Sequence, residues 1–243
     1  VTEGPRTLTW EEPVGRCGVE GVAVGTKSKG GAGRRRMPRE VRERQMLDAA
    51  VVGFARHGYQ AASMDDIAEE AGVSKPLVYL YLKSKEDLFT ACLRRERAAL
   101  VEAVREGTQE PDAAAERQLW KGLCAFFAHT AARPDGWSVL HRANTQGEPF
   151  ASEVAGMRAE ITELVRLLLS RAAVDAGCDG EFAEREVSGL AHAMVGAAES
   201  LAVWANDRGQ DAPSAKETAA TLMNFCWTGL GRMVTGVRWT PHR

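Results

Sequence analysis

The stretch Ser63-Met64-Asp65-Asp66-Ile67-Ala68-Glu69-Glu70-Ala71-Gly72-Val73-Ser74-Lys75-Pro76-Leu77-Val78-Tyr79-Leu80-Tyr81-Leu82 decides the fold. Ser63-x-x-Asp66 has the form of a helix N-cap with an acid at the third helical position, where free backbone N–H groups welcome both an oxygen and a negative charge. Gly72 ends the helix so opened. Ser74 is expected to cap a second one, with Pro76 in its first turn, where a missing N–H costs little. Two short helices about a glycine turn suit a helix-turn-helix. Gly72 supplies the left-handed turn, and Ala68, four residues earlier, is small enough for the helices to approach closely. Ile67, Ala71, Val73 and Val78 form an apolar side that can pack on a preceding helix.

The second helix is unusual for a plain helical hairpin, because Lys75, Leu77, Tyr79 and Tyr81 crowd barely two turns. A helix in the major groove of DNA uses such N-terminal residues on base edges, and its N–H groups on phosphates. Tyrosine hydroxyls also bond phosphate oxygens. For Tyr79, core packing is the competing reading.

Working outward, Leu47, Ala50, Val51 and Phe54 recur at helical spacing, and Gly58 follows as a stop. Downstream, Ser84-x-x-Asp87 caps a longer helix expected to reach about Gly107, with Lys85 at its start. Helical stretches then follow at about 113–131, 149–176, 181–207 and 214–235, punctuated by Pro111, Pro134, Pro149 and the runs 177–180 and 209–213. A β-rich run from Met233 to Trp239 has no partner strand. The fold class is all-α.

The run Gly58-Tyr59-x-Ala61-Ala62-Ser63-Met64-x-x-Ile67-Ala68-x-x-Ala71-Gly72-Val73-Ser74-Lys75-Pro76-x-Val78-Tyr79-x-Tyr81-Leu82-Lys83-Ser84-Lys85-Glu86-Asp87-Leu88 resembles the N-terminal domain of TetR-family transcriptional regulators. The likeness covers about residues 40–92. It implies a homodimer in which an N-terminal three-helix DNA-binding domain precedes a larger helical domain for effector binding and dimerisation. Carried across, Ser63 and the first turn of its helix would touch phosphate. Ser74, Lys75, Pro76 and Leu77 would face the major groove, Tyr79 and Tyr81 the backbone, and Lys85 another phosphate. Pro76 and Leu77 stand where the family often has Gly and Thr, Tyr81 where it has His, and Leu82 where it has Phe. Leu77 in that place can meet a thymine methyl.

Of the 243 residues, 44% are hydrophobic and 26% are charged, which excludes disordered and fibrous classes. The net charge of −2 hides a gradient. Between Lys27 and Arg44, eight basic residues face Glu40 and Glu43, whereas from Ala91 onward 17 basic residues face 20 acidic ones. A basic end on an acidic body suits a polyanion at that end, and disfavours a general architectural DNA binder. Residues 1–36 lack periodicity and read as a flexible basic arm. Its Arg34, Arg35 and Arg36 would reach a neighbouring minor groove. The arm's Gly25-Thr-Lys-Ser-Lys-Gly30 lacks the Lys-Ser/Thr that completes a phosphate loop. The organisation expected is therefore an arm over 1–36, a helix-turn-helix domain over 37–90 and a C-terminal domain over 91–243.

Five scattered cysteines without C-x-x-C, no signal peptide and no uninterrupted apolar span point to a cytoplasmic protein needing no metal or other cofactor. Catalytic motifs such as H-E-x-x-H and G-x-S-x-G are missing, which disfavours an enzyme. Phe126, Phe127, Trp137, Met157, Ile161, Leu164 and Trp204 are candidates to line an effector pocket. His129, His141, Arg142 and Glu199 are its candidate polar anchors. The last two long helices alternate small residues (Gly189, Ala193, Gly196, Ala197; Ala219, Ala220, Gly229) with larger ones, a pattern that lets two copies form a four-helix interface. The expected partners are a double-stranded operator, a small-molecule effector and a second copy. The expected function is repression relieved by that effector, with activation as the alternative.

Overall fold

The computed structural model describes residues 38–175 and 180–234, and all its regular elements are helical. In chain order these are α1 (Arg39–Ala61), α2 (Met64–Glu70), α3 (Lys75–Tyr81), α4 (Lys85–Thr108), α5 (Ala115–Ala132), α6 (Pro134–Ala143), α7 (Phe150–Asp175), α8 (Gly180–Asn206) and α9 (Ala215–Val234), with one 3₁₀ turn at Gly209–Asp211. The arm, with Arg34, Arg35 and Arg36, lies outside the described residues, as does all of the β-rich run beyond Val234.

The caps read from the sequence form where the backbone offers a donor. Ser63 Oγ accepts from the N–H groups of Asp65 and Asp66 at 3.1 and 3.4 Å. Ser84 Oγ accepts from Asp87 N–H at 2.9 Å. Ser74 departs from expectation, because its hydroxyl makes no cap. A capping oxygen takes the N–H of the second or third helical residue; in α3 the second, Pro76, has none, and the third, Leu77, gives its N–H to the Ser74 carbonyl. The Ser74 backbone carbonyl holds the first turn instead, accepting from Leu77 and Val78 at 2.9 and 3.2 Å. Gly58 does not end α1 outright. At φ +73° it kinks the helix, which makes one further turn to Ala61.

A second departure is α6. Pro134 reads as punctuation in the sequence, yet it opens a ten-residue helix. Proline at the first helical position gives up an N–H that would go unpaired, and its fixed φ suits the turn.

One continuous core runs from Met46, Phe54 and Val78 through Leu88, Phe89 and Leu100 to Phe126, Leu168 and Leu222. The boundary expected at residues 90 and 91 falls inside α4, whose early residues pack towards α1 and whose later ones pack on α5 and α7. Phe54, Phe89 and Phe150 meet edge to face at centroid distances of 4.8 Å, and this ties α1, α4 and the start of α7 together. In the first three helices, Ile67 and Val78 are buried and Gly53 leaves room for Ile67, since a Cβ there would come within 3.0 Å of it.

Candidate functional site

Gly72 sits at φ +64° between α2 and α3. Its N–H donates to Glu69 O at 2.9 Å, and Val73 N–H donates to Ala68 O at 3.0 Å. This closes the turn and commits Val78 to the core. The opposite face of α3 is then turned to solvent. Ser74, Lys75, Pro76 and Tyr79 are exposed, Leu77 is half-buried, and Leu80 is 75% exposed. Tyr79, at 40% exposed, is not a core residue. Tyr81 is half-buried, with the Arg39 guanidinium 5.2 Å above its ring. Leu80 escaped the sequence reading. Two residues past buried Val78 it falls near the far side of the helix, and a helical-wheel count would have found it.

Three of the expected DNA contacts have hydrogen-bonding partners within the chain. Ser63 gives its hydroxyl oxygen to the α2 cap. Lys85 Nζ donates to Gln60 O at 2.9 Å and lies 5.2 Å from the Tyr59 ring. Lys75 Nζ pairs with Asp65 at 2.8 Å, and this hydrogen bond and charge raise the lysine's pKa. Both groups are exposed, so the pair is weak and exchangeable.

The other candidate site is a narrow cavity of about 40 Å³ between α4, α5, α6, α7 and α8. Phe126, Trp137, Met157, Ile161 and Leu164 line it as expected, and so does Glu199. Phe127 is buried beside Phe126 in the core, and His129, His141 and Trp204 are not on the wall. His141 is exposed on α6, while Trp204 is exposed on α8 beneath the Arg208 guanidinium. The sequence reading missed Val104, Leu119, Leu123 and Met194, which look like ordinary core residues by type and spacing. Between α4 and α7, Arg94 and Arg97 pair with Glu153 at 2.7 and 3.3 Å. Gly156 leaves the space in which the Arg97 guanidinium lies.

The two regions are joined through α6. Trp137 stands on the cavity wall, and Arg142, on the same helix, donates from Nη1 to Ala55 O of α1 at 2.8 Å. Beside them, Glu96 of α4 is 1% exposed. Its carboxylate accepts from Arg133 at 2.9–3.0 Å and from Arg95 at 3.0 Å. Arg95 also reaches Asp48 of α1 at 2.7 Å.

Residues 46–92 match the bacterial regulatory proteins of the tetR family, and residues 115–229 match a tetracyclin repressor-like C-terminal domain. The HTH-type transcriptional activator FasR of Mycolicibacterium smegmatis is 34% identical over 213 residues, covering 86% of this chain and 93% of that protein. The chain belongs to the TetR family. As a TetR-family member it is a DNA-binding, helix-turn-helix regulator of transcription, and its relatives are regulators. A TetR-like regulator from Rhodococcus sp. RHA1 superposes with a TM-score of 0.70 at 34% identity, over 81% of this chain and 99% of that one. FadR from Bacillus subtilis, solved in complex with stearoyl-CoA, shares the fold with a TM-score of 0.60 at 19% identity, over 76% and 98% of the two chains. Among the described residues no helix is long and apolar enough to cross a membrane. Among the same residues, no group of three or more His, Cys, Asp or Glu could hold a metal ion.

Proposed function

We propose that this protein is a cytoplasmic, homodimeric, ligand-controlled operator-binding regulator. Residues 37–90 read DNA, and residues 91–243 bind the effector and dimerise. The observation that carries the reading is α6, which walls the cavity with Trp137 and holds α1 through Arg142.

The cavity is far smaller than the ~300–1,000 Å³ of a typical small-molecule site. A ligand therefore enters only by spreading its walls, α6 among them. Movement of α6 displaces α1, and with α1 the helix α2 packed on it and α3 packed on α2. In a dimer both reading helices must enter major grooves ~34–36 Å apart, so a shift of a few Å weakens operator binding. The ligand favours whichever state it fits better, and DNA favours the other.

On the DNA side, Ser74, Lys75, Pro76, Leu77 and Tyr79 form the reading edge, with Leu80 beside them. Exposed Leu80 can meet a thymine methyl, a contact earlier assigned to half-buried Leu77. For the dimer, α8 and α9 offer exposed apolar residues, Trp204 and Phe225. A Cβ on Gly189 or Gly196 would meet nothing within 4 Å, so the chain's own packing does not need these glycines, and a second copy can approach there. Ala219, by contrast, is buried in the chain's own core.

The almost wholly apolar wall favours a ligand with a long apolar chain. The stearoyl-CoA held by the distantly related FadR supports that class. Repression is the reading for the DNA-bound dimer, which covers promoter DNA without needing a surface for the polymerase. Activation is the second reading, favoured by the likeness to FasR, a transcriptional activator.

The test is footprinting on DNA flanking the protein's own gene, with a Tyr79→Ala/Leu80→Ala variant and a titration of palmitoyl-CoA. A short protected palindrome, lost in the variant and altered by palmitoyl-CoA, is the expected result. Diffuse protection that the variant leaves unchanged overturns the assignment of the reading edge. A promoter reporter then separates repression from activation.

A further inference from the structure

We infer that the indole N–H of Trp137 is the hook for the polar end of the ligand's apolar chain, taking an uncharged carbonyl oxygen such as that of an acyl thioester. The inference rests on the proposed apolar-chain ligand and adds the atom that orients it.

Trp137 is 5% exposed, so bulk water does not serve its ring nitrogen. Its Nε1 is the one buried side-chain nitrogen or oxygen among the described residues with no hydrogen-bond partner. Leaving a buried donor unpaired costs folding free energy, and native proteins rarely tolerate it without a reason. The ring borders the cavity and is held by Phe126, edge to face at 5.6 Å, and by His141 at 5.9 Å. The indole is thus fixed in place without its polar atom being used.

The chemistry of the ligand atom follows from the wall. An indole N–H only donates, so its partner must be an acceptor. The other polar side chains on the wall are already engaged: Thr108 Oγ1 donates to Arg105 O at 2.8 Å, and Glu199 pairs with Arg158 at 2.8 Å. A free carboxylate would lose its hydration among apolar side chains and lie in the same small space as the Glu199 carboxylate. A neutral carbonyl has neither difficulty. An acyl thioester is therefore preferred to the free acid of the same chain.

The experiment compares palmitoyl-CoA, its S-hexadecyl thioether analogue and palmitate by calorimetric titration of the full chain and of Trp137→Phe. The thioether keeps chain and head group but lacks the carbonyl oxygen. Wild type is expected to bind the thioester about three- to tenfold more tightly than the thioether, the range set by one hydrogen bond. Trp137→Phe should erase that difference by weakening the thioester alone. Equal affinities in wild type overturn the assignment without need of the variant, should it fail to fold. Equal losses for both ligands in Trp137→Phe also overturn it, as expected if the ring serves by packing or its N–H by water. Palmitate binding as tightly as the thioester overturns the preference for a neutral carbonyl. If neither palmitoyl-CoA nor the thioether binds wild type, the apolar-chain reading falls and takes the hook with it.

Discussion

Arg142 Nη1 donates to the backbone carbonyl of Ala55 at 2.8 Å, joining α6 to α1 across 87 positions of sequence. Ala55 lies in the last turns of α1 before the Gly58 kink, where carbonyls run short of helical donors. The bond thus couples the helix that walls the cavity to the helix on which the reading pair rests. Arg142→Ala is expected to cost about 1 kcal/mol of stability. It should leave operator affinity near wild type while blunting the response to ligand. Footprint titrations with and without palmitoyl-CoA check this, and an unblunted response would place the coupling elsewhere.

Glu96 is the other fixed point of the junction, buried and shared by Arg133 and Arg95. Glu96→Ala leaves Arg133 without its carboxylate and Arg95 with Asp48 alone, and should cost about 3 kcal/mol, the lower end for breaking a buried pair because Arg133 is half-exposed and Arg95 keeps a partner. Gly136 lies so close that a Cβ there would collide with the Glu96 carboxylate. Gly136→Ala is therefore expected to cost about 1–3 kcal/mol, the usual range for overpacking, although alanine is the better helix former. Denaturant melts of the two variants and their double test the link, since neighbours that share one strain do not add.

The reading pair and the long helices were legible because their signals are local. Ser63, Gly72 and Ser84 each act within four residues of themselves, and the structure shows each in that role. α6 was not legible because Pro134 both breaks a preceding helix and starts a following one, and only packing against α1 decides between them. The cavity was half legible. Phe126 and Trp137 stand out by size, but Leu119 or Met194 differs from any core residue only in facing a gap. Lys75 and Lys85 showed the converse limit, because their partners Asp65 and Gln60 are matched by geometry that no spacing rule encodes.

The Lys75–Asp65 pair places a carboxylate beside the proposed phosphate-facing edge. DNA must draw Lys75 away from Asp65 and bear the repulsion of the charge left behind. Asp65→Asn is accordingly expected to raise operator affinity severalfold, with a smaller gain for specific than for unrelated DNA. Lys75→Ala should lower affinity for every sequence and reduce the salt slope by about 1. Binding isotherms across a salt series decide, and an unchanged slope for Lys75→Ala would remove that lysine from the phosphate contacts.

Cys92 is fully buried against α1, and burial pushes its thiol up to about 12. The reactive thiolate is therefore scarce at neutral pH. Peptide-resolved alkylation of the native protein should modify half-buried Cys124 and Cys226 before Cys92. Cys92 labelling is expected to follow global unfolding, so its rate should rise steeply with denaturant. Early labelling of Cys92 would mean that α1 separates readily from α4.

His129 is half-buried on α5, and burial, with Arg133 nearby, holds its pKa below the usual histidine value, while Glu96 pulls the other way. The folded state thus disfavours the imidazolium, and the unfolded state binds the extra proton more readily. The stability at stake is fully present above the unfolded value of about 6.5 and is lost as pH falls from there towards the lower folded value. Thermal melts between pH 8 and pH 5 should show a falling midpoint that begins near pH 6.5. Glu110, Glu163 and Glu217 also have lowered pKa values, but their stabilisation is lost only as pH falls through the acidic range of carboxylates, below the histidine window. His129→Gln, which cannot take the proton, is expected to flatten the slope above pH 5 and leave the acid limb in place. A slope unchanged in that variant would assign the titration to another histidine.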